Sequence, residues 1–224
     1  MNIAGYIDHT VLKPTSTIGD IEKCCREAVE YGFAAVCIPP SFVKRTAAIL
    51  APTDVKVATV VGFPFGYSAT EAKVAETVLA VVDGAQEVDM VINLIALRQS
   101  DWNYLQKEVS LIREVCHNKG RLLKVIIESG ILEEKEIIDC CTKLGSLGID
   151  FMKTSTGYAE KGATVEAVKL MKKHLPVGVR IKASGGIRDF SFAKTLIDAG
   201  ASRLGASASV AIVTGAPDHQ LGNY

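Results

Sequence analysis

The residue to weigh first is Lys153. It closes the strand-like run IDFM (149–152) and is followed by the small polar residues Thr154-Ser155-Thr156-Gly157. A buried strand has no ordinary use for an ammonium group, because removing that charge from water costs several kcal/mol unless something offsets it. In a dry, electropositive pocket a lysine loses its proton more readily and becomes an amine nucleophile towards a carbonyl. Two further residues belong to the same chemistry: Asp89 in EVDMVIN (87–93) and Lys182 in RIKASGGIR (180–188). Taken singly, Asp89 reads as an ion-pair partner and Lys182 as a solvated strand end. Their joint appearance near the C-terminal ends of three different strands favours a catalytic set. Lys153 is then the imine-forming lysine, Lys182 the neighbouring cation and Asp89 a proton relay.

The elements that must hold these residues repeat along the chain. Short β-rich runs occur at 6–9, 33–38, 56–61, 87–92, 122–128, 149–153, 178–183 and 202–205, their starts about 28 residues apart. Amphipathic patterns fill the gaps. Ile21, Cys24, Cys25, Ala28 and Val29 form one helical face behind Thr17 and Asp20, with Gly32 as the stop. Ser68 and Glu71 predict a capping box for a helix that buries Val74, Ala75, Val78, Leu79 and Val82 and stops near Gly84. Helices are also expected over 101–119, 133–144, 164–174 and 189–199. Eight strand–helix units without a composition break predict an α/β fold, a single (β/α)8 TIM barrel spanning residues 1–224 with a flexible tail at 216–224. An open doubly wound sheet would carry a GxGxxG turn after its first strand, where this chain has HTVLKP.

Strand parity sorts the charges. Asp89 with Val91 and Asn93, Phe151 with Lys153, Arg180 with Lys182 and Ser184, Lys124 with Ile126 and Glu128, and Asp8 with Thr10 each share a face. The opposite faces are apolar and suit a cover of helices, so the charged faces point into the barrel. There the charges must pair with one another or meet a substrate. For Lys124 and Asp8, neutralising the cluster and acting on substrate are equally good readings; for Arg180 the structural reading is preferred.

Glycine-containing turns follow the last strands: Ser184-Gly185-Gly186-Ile187-Arg188 after the seventh and Gly205-Ala206-Ser207 after the eighth, the latter opening a short helix over 208–213. In this barrel type, phosphate often sits after strands seven and eight. With Gly157 beside Lys153, these turns predict a phosphate site made of Gly157, Ser184, Gly185, Gly186, Gly205 and Ser207. The substrate should carry a phosphate on a small carbon chain.

Composition narrows the classes. The 224 residues include 25 Lys+Arg and 25 Asp+Glu, which gives no basic excess for nucleic acid or an anionic membrane. No apolar run is long enough to span a bilayer and the N-terminus lacks a signal-peptide pattern, so a cytoplasmic location is expected. The six cysteines include two adjacent pairs on amphipathic helices, where they read as small buried hydrophobes rather than disulfide partners. The four histidines are scattered and there is no CxxC, so no metal or cofactor is expected.

The segments YIDHTVLKP (6–14), AAVCIPP (34–40), VATVVGFPFG (57–66), EVDMVIN (87–93), LKVIIESG (123–130), FMKTSTG (151–157), RIKASGGIR (180–188) and RLGAS (203–207) together resemble the deoxyribose-phosphate aldolase family, in that family's order and over essentially the whole chain. The resemblance implies a metal-independent class I aldolase. Such an enzyme reversibly cleaves 2-deoxy-D-ribose 5-phosphate to D-glyceraldehyde 3-phosphate and acetaldehyde, in deoxyribose phosphate catabolism. It places the Schiff-base lysine at Lys153, the second lysine at Lys182 and the aspartate at Asp89. Some members have a phosphate-binding lysine where this chain has Tyr158, so phosphate would rest here on backbone N–H groups and Ser207. Members often end in tyrosine, as this chain does at Tyr224, and that tail can reach the site; a frayed end is the alternative. Cys37 is either within reach of a reactive aldehyde or inert packing. A homo-oligomer, dimer or tetramer, is expected through outer helices, although no unmistakable apolar patch marks the interface. A transaldolase-like or isomerase barrel and a non-catalytic phosphate sensor are the competing readings. Retention of all three charged residues argues against the sensor.

Overall fold

The computed structural model describes residues 2–215, so the expected tail and Tyr224 lie outside the described residues. Eight parallel strands close into a barrel in sequence order: β1 (Ile7–Thr10), β2 (Ala35–Ile38), β3 (Lys56–Val61), β4 (Glu87–Val91), β5 (Leu122–Ile126), β6 (Phe151–Lys153), β7 (Arg180–Ser184) and β8 (Arg203–Ala206). β1 pairs with both β2 and β8, which completes the ring. The TIM-barrel expectation is borne out.

Around it run α1 (Ile18–Tyr31), α2 (Val43–Leu50), α3 (Thr70–Val82), α4 (Leu94–Arg98), α5 (Trp102–His117), α6 (Glu134–Lys143), α7 (Val165–His174), α8 (Phe190–Ala199) and α9 (Ser209–Thr214). Local chemistry sets most of their starts. Thr17 and Asp20 form the expected capping box for α1, and Asp101, Thr164 and Asp189 accept backbone N–H bonds at the starts of α5, α7 and α8. Asn93, expected on the inward face of strand four, instead caps the unexpected α4 by accepting from Ile95 and Ala96.

Residues of one strand parity, among them Val88, Met90, Leu123, Val125, Met152 and Ile181, belong to the main core, beneath the helices. The other parity faces inward and divides the interior. Leu12, Ala35, Cys37, Ala58 and Val60, with Phe63 against them, make an apolar half near β1–β3. Charges fill the rest.

Helix α3 departs from expectation. Its N-cap is Ala69 with no side-chain cap bond, because the helix starts at Thr70 and the Ser68–Glu71 pair straddles that start instead of framing it. Its buried residues are Thr70, Lys73, Thr77, Ala80 and Val81, while Val78, Leu79 and Val82 are exposed. The phase is set by Lys73, whose ammonium lies 2.7 Å from Glu108 Oε1 on α5 and donates to the Val91 carbonyl at 2.8 Å. Bringing that ion pair inward turns the apolar stripe outward.

Candidate active site

Strand register brings the charged residues together. Asp89 on β4 pairs with Lys124 on β5, Lys153 on β6 with Lys182 on β7, and Asp8 on β1 with Gly205 on β8. Paired residues of neighbouring strands point the same way, so these side chains converge inside the barrel. Lys153 Nζ lies 2.8 Å from Asp89 Oδ2, and Lys182 Nζ lies 2.7 Å from the same oxygen. Lys124 Nζ takes the other oxygen, Oδ1, at 2.7 Å. Lys182 also bonds Asp8, and Lys124 reaches Glu87 at 2.6 Å. Arg203 closes the base of the cluster, 2.6 Å from Asp8 and 3.1 Å from Glu87.

Four cations thus share three carboxylates, and all three lysines are buried. One positive charge has no carboxylate to balance it, and partner counts identify which. Lys182 and Lys124 each have at least two carboxylates, whereas among the described residues Lys153 has an ion pair with Asp89 alone. Burial is the largest influence on each lysine and disfavours its charge. Asp8 and Asp89 outweigh it at Lys182, and Asp89 and Glu87 outweigh it at Lys124, so both are held above the ordinary lysine value. At Lys153 burial prevails over the attraction of Asp89, Lys182 adds repulsion, and the pKa is lowered. Burial pushes the two aspartates upward, yet the surrounding ammonium groups hold Asp89 well below the carboxylate range and Asp8 at about 2.

The cluster therefore holds one amine whose charge burial disfavours beside two lysines whose charge their carboxylate partners favour. Lys124 and Asp8 belong to it, which settles them at least as members of the charge network. Arg180 is exposed and stacks over the Phe151 ring at 3.9 Å to the centroid, as the structural reading anticipated. Cys37 is buried in the inward wall, and burial raises its thiol pKa.

Two residues were missed by sequence reasoning, and a third, Glu128, was placed on the inward face without its role. Glu87 and Arg203 lie two positions before Asp89 and Gly205 on their strands, so parity alone could have found them. Glu128 takes a left-handed backbone conformation with φ 54° and accepts from the Thr156 N–H at 3.2 Å and from the Thr156 hydroxyl. It anchors the loop that leaves Lys153.

The turns expected to bind phosphate are locked to each other. Gly157, Gly185 and Gly186 have φ of 92°, 87° and 77°, a region that favours glycine. Ser184 Oγ donates to the Ser155 carbonyl at 2.6 Å, and the Ala163 N–H donates to the carbonyls of Ser184 and Gly185. A Cβ on Gly162 would lie 2.2 Å from the Gly185 carbonyl oxygen, so the loop after β6 sits directly on the turn after β7. Ser207 is exposed beyond β8, whereas Gly205 lies inside that strand. A Cβ at Gly205 would meet Lys182 Cε at 3.1 Å, so this glycine makes room for the lysine stem. Tyr158 turns its hydroxyl to the Leu12 carbonyl at 2.9 Å and its ring edge to Phe63.

A DeoC/LacD family aldolase model matches residues 3–217. The chain belongs to this aldolase family. It is a carbon–carbon lyase: the deoxyribose-phosphate aldolase of Treponema denticola is 52% identical over 215 residues, covering 96% of this chain and all of that one. Among solved structures, a putative deoxyribose-phosphate aldolase from Coccidioides immitis superposes with a TM-score of 0.92 at 41% identity, over 96% of this chain and 85% of that one. A tetrameric deoxyribose phosphate aldolase from Aeropyrum pernix follows at 0.88 and 32%, over 94% and 89%.

Proposed function

We propose that this aldolase reversibly cleaves 2-deoxy-D-ribose 5-phosphate to D-glyceraldehyde 3-phosphate and acetaldehyde through an imine on Lys153. The observation that carries the reading is the geometry at buried Lys153, whose one carboxylate partner among the described residues, Asp89, shares the same oxygen with Lys182.

Neutral Lys153 attacks the aldehyde carbon, C1, to give a carbinolamine, and loss of water leaves a protonated imine. With the C3 hydroxyl proton removed, the C2–C3 bond breaks and its electron pair enters the imine, giving an enamine and glyceraldehyde 3-phosphate. Protonation at C2 yields the acetaldehyde imine, and water releases acetaldehyde and free Lys153. Asp89 and Lys182, acting through an ordered water, move the protons at the carbinolamine oxygen and at C2. Lys182 also keeps Lys153 neutral, because a protonated neighbour would be repelled.

In this reading the phosphate rests on Gly157, on the Ser184-Gly185-Gly186 turn and on Ser207, with Gly205 contributing by the space it leaves. The enzyme acts without metal or cofactor in the breakdown of deoxyribose phosphate. It works as a homo-oligomer, as the Aeropyrum pernix relative does. A cytoplasmic location agrees with six free, buried cysteines. Among the described residues, no helix is long and apolar enough to cross a membrane.

The test is to incubate the protein with acetaldehyde and borohydride and to map the ethyl adduct by mass spectrometry. An adduct on Lys153, absent from Lys153→Ala together with activity, supports the reading. An adduct confined to Lys182 exchanges the two lysines, and none at all in a protein that binds substrate sinks the imine mechanism.

A further inference from the structure

A cavity of about 470 Å³ lies between α6, α7 and the loops that follow β5 and β6, and no strand residue lines it. Its floor is apolar: Ile137 and Ala167 are buried there, and Leu132 and Leu170 are half-buried. Its rim is charged. Lys161, Lys169 and Lys173 share it with Glu134 and Glu166, all five exposed, and none of them has an ion pair or a side-chain hydrogen bond among the described residues. Ser129 lines the same cavity and is 6% exposed, yet its Oγ has no hydrogen-bond partner among the described residues. Buried hydroxyls ordinarily have one. The Ser129 N–H, by contrast, is used: it donates to the Thr154 carbonyl at 2.7 Å, one residue beyond Lys153. None of these residues belongs to the lysine–carboxylate cluster or to the turns assigned to substrate phosphate.

We propose that this cavity binds a nucleoside monophosphate. Its volume falls in the range of about 300–1,000 Å³ usual for small-molecule sites, and a bare phosphate would leave most of it unfilled. Lys169 and Lys173 are four positions apart on α7, so their ammonium groups share one face and repel each other until an anion comes between them. With Lys161 they outnumber the two glutamates, which favours a phosphate over a neutral ligand. The apolar floor suits the flat face of a base. Glu134 and Glu166 are acceptors, and the sugar hydroxyls and base N–H groups supply the donors. Ser129 completes the set, because rotation about its Cα–Cβ bond turns the idle hydroxyl towards the ligand. The wall of the cavity is also a support of the candidate active site: Gly162 lines it and packs against Gly185, and the next N–H, that of Ala163, holds the Ser184 and Gly185 carbonyls. A nucleotide seated there leaves the barrel mouth open, so it binds without displacing substrate.

Calorimetric titration of the purified full chain with AMP, adenosine and inorganic phosphate tests this, with the double variant Lys169→Gln, Lys173→Gln and the single variant Ser129→Ala alongside wild type. AMP should bind wild type with a Kd below ~1 mM and about tenfold more tightly than adenosine or phosphate alone. The double variant, changed only at exposed side chains, should lose about tenfold in AMP affinity and keep its lyase activity. Ser129→Ala should lose about threefold. No AMP binding at ~10 mM overturns the site. Binding that is undiminished in the double variant and competitive with substrate places the nucleotide in the barrel mouth, which also overturns it. Adenosine or phosphate binding as tightly as AMP overturns the ligand class.

Discussion

Lys153 and Lys182 reach the same oxygen of Asp89, at 2.8 and 2.7 Å. Two ammonium groups on one carboxylate oxygen repel each other, and the one with fewer other partners yields its proton. Lys182 retains Asp8; among the described residues Lys153 has no second ion-pair partner.

Lys182→Met should therefore raise the pKa of Lys153, both by removing the repulsion and by leaving Asp89 more fully to it. Activity that needs neutral Lys153 rises with pH through that pKa, so the acidic limb of the kcat/KM profile moves to higher pH. Below the limb, a tenfold rise in the proton affinity of Lys153 lowers activity about tenfold. A profile that falls in height with the limb unmoved would leave Lys182 with proton transfer alone.

Arg203→Met removes the guanidinium shared by Asp8 and Glu87, which keep Lys182 and Lys124 as partners, so the cost is that of lost hydrogen bonds to charged groups, about 1.5–3 kcal/mol. The loss should be largest at neutral pH and shrink in acid, where protonated carboxylates no longer need the partner. For wild type, Asp8 and Asp89 have depressed pKa values, so their stabilisation is present above pH ~4 and is lost in stronger acid, that of Asp8 as pH falls towards about 2. Urea unfolding between pH 3 and pH 7, at intervals of about one pH unit, checks both signs.

Gly205→Ala places a methyl 2.9 Å from Ser184 Cβ and 3.1 Å from Lys182 Cε. Overpacking of this kind costs about 1–3 kcal/mol and displaces the Lys182 stem. The expected result is a lowered melting temperature together with a loss of kcat larger than the change in KM.

Glu128→Ala leaves the Thr156 N–H and hydroxyl without their buried acceptor, at about 1–3 kcal/mol. Glu128→Gln keeps one oxygen there and should retain more activity than Glu128→Ala. Equal loss in the two variants would point to the charge of Glu128 and not to its hold on the loop.

Strand alternation made Lys153, Asp89 and Lys182 legible as one inward-facing set, and the same rule covered Glu87 and Arg203. These two were passed over because strand eight was read for the glycine turn that follows it and strand four for its aspartate. Glu128 is different: nothing in IIESG announces a left-handed glutamate, since that conformation is imposed by the loop it holds. The phase of α3 was illegible for a geometric reason. Val74, Val78 and Leu79 are spaced as a core face would be, and spacing alone does not say which side of a helix is turned to the barrel. Only the Lys73–Glu108 ion pair, made across 35 residues of sequence, decides which side turns in.

Arg203 meets Asp8 across 195 residues, and Lys182 meets it across 174. During synthesis the acidic residue emerges among the first, and its last cation arrives with the final strand. A nascent chain that stops short of β8 holds an open-edged sheet in which Asp8 and Glu87 lack the guanidinium they share, so ring closure and completion of the site are one late event. No catalyst exists until β8 has joined β1.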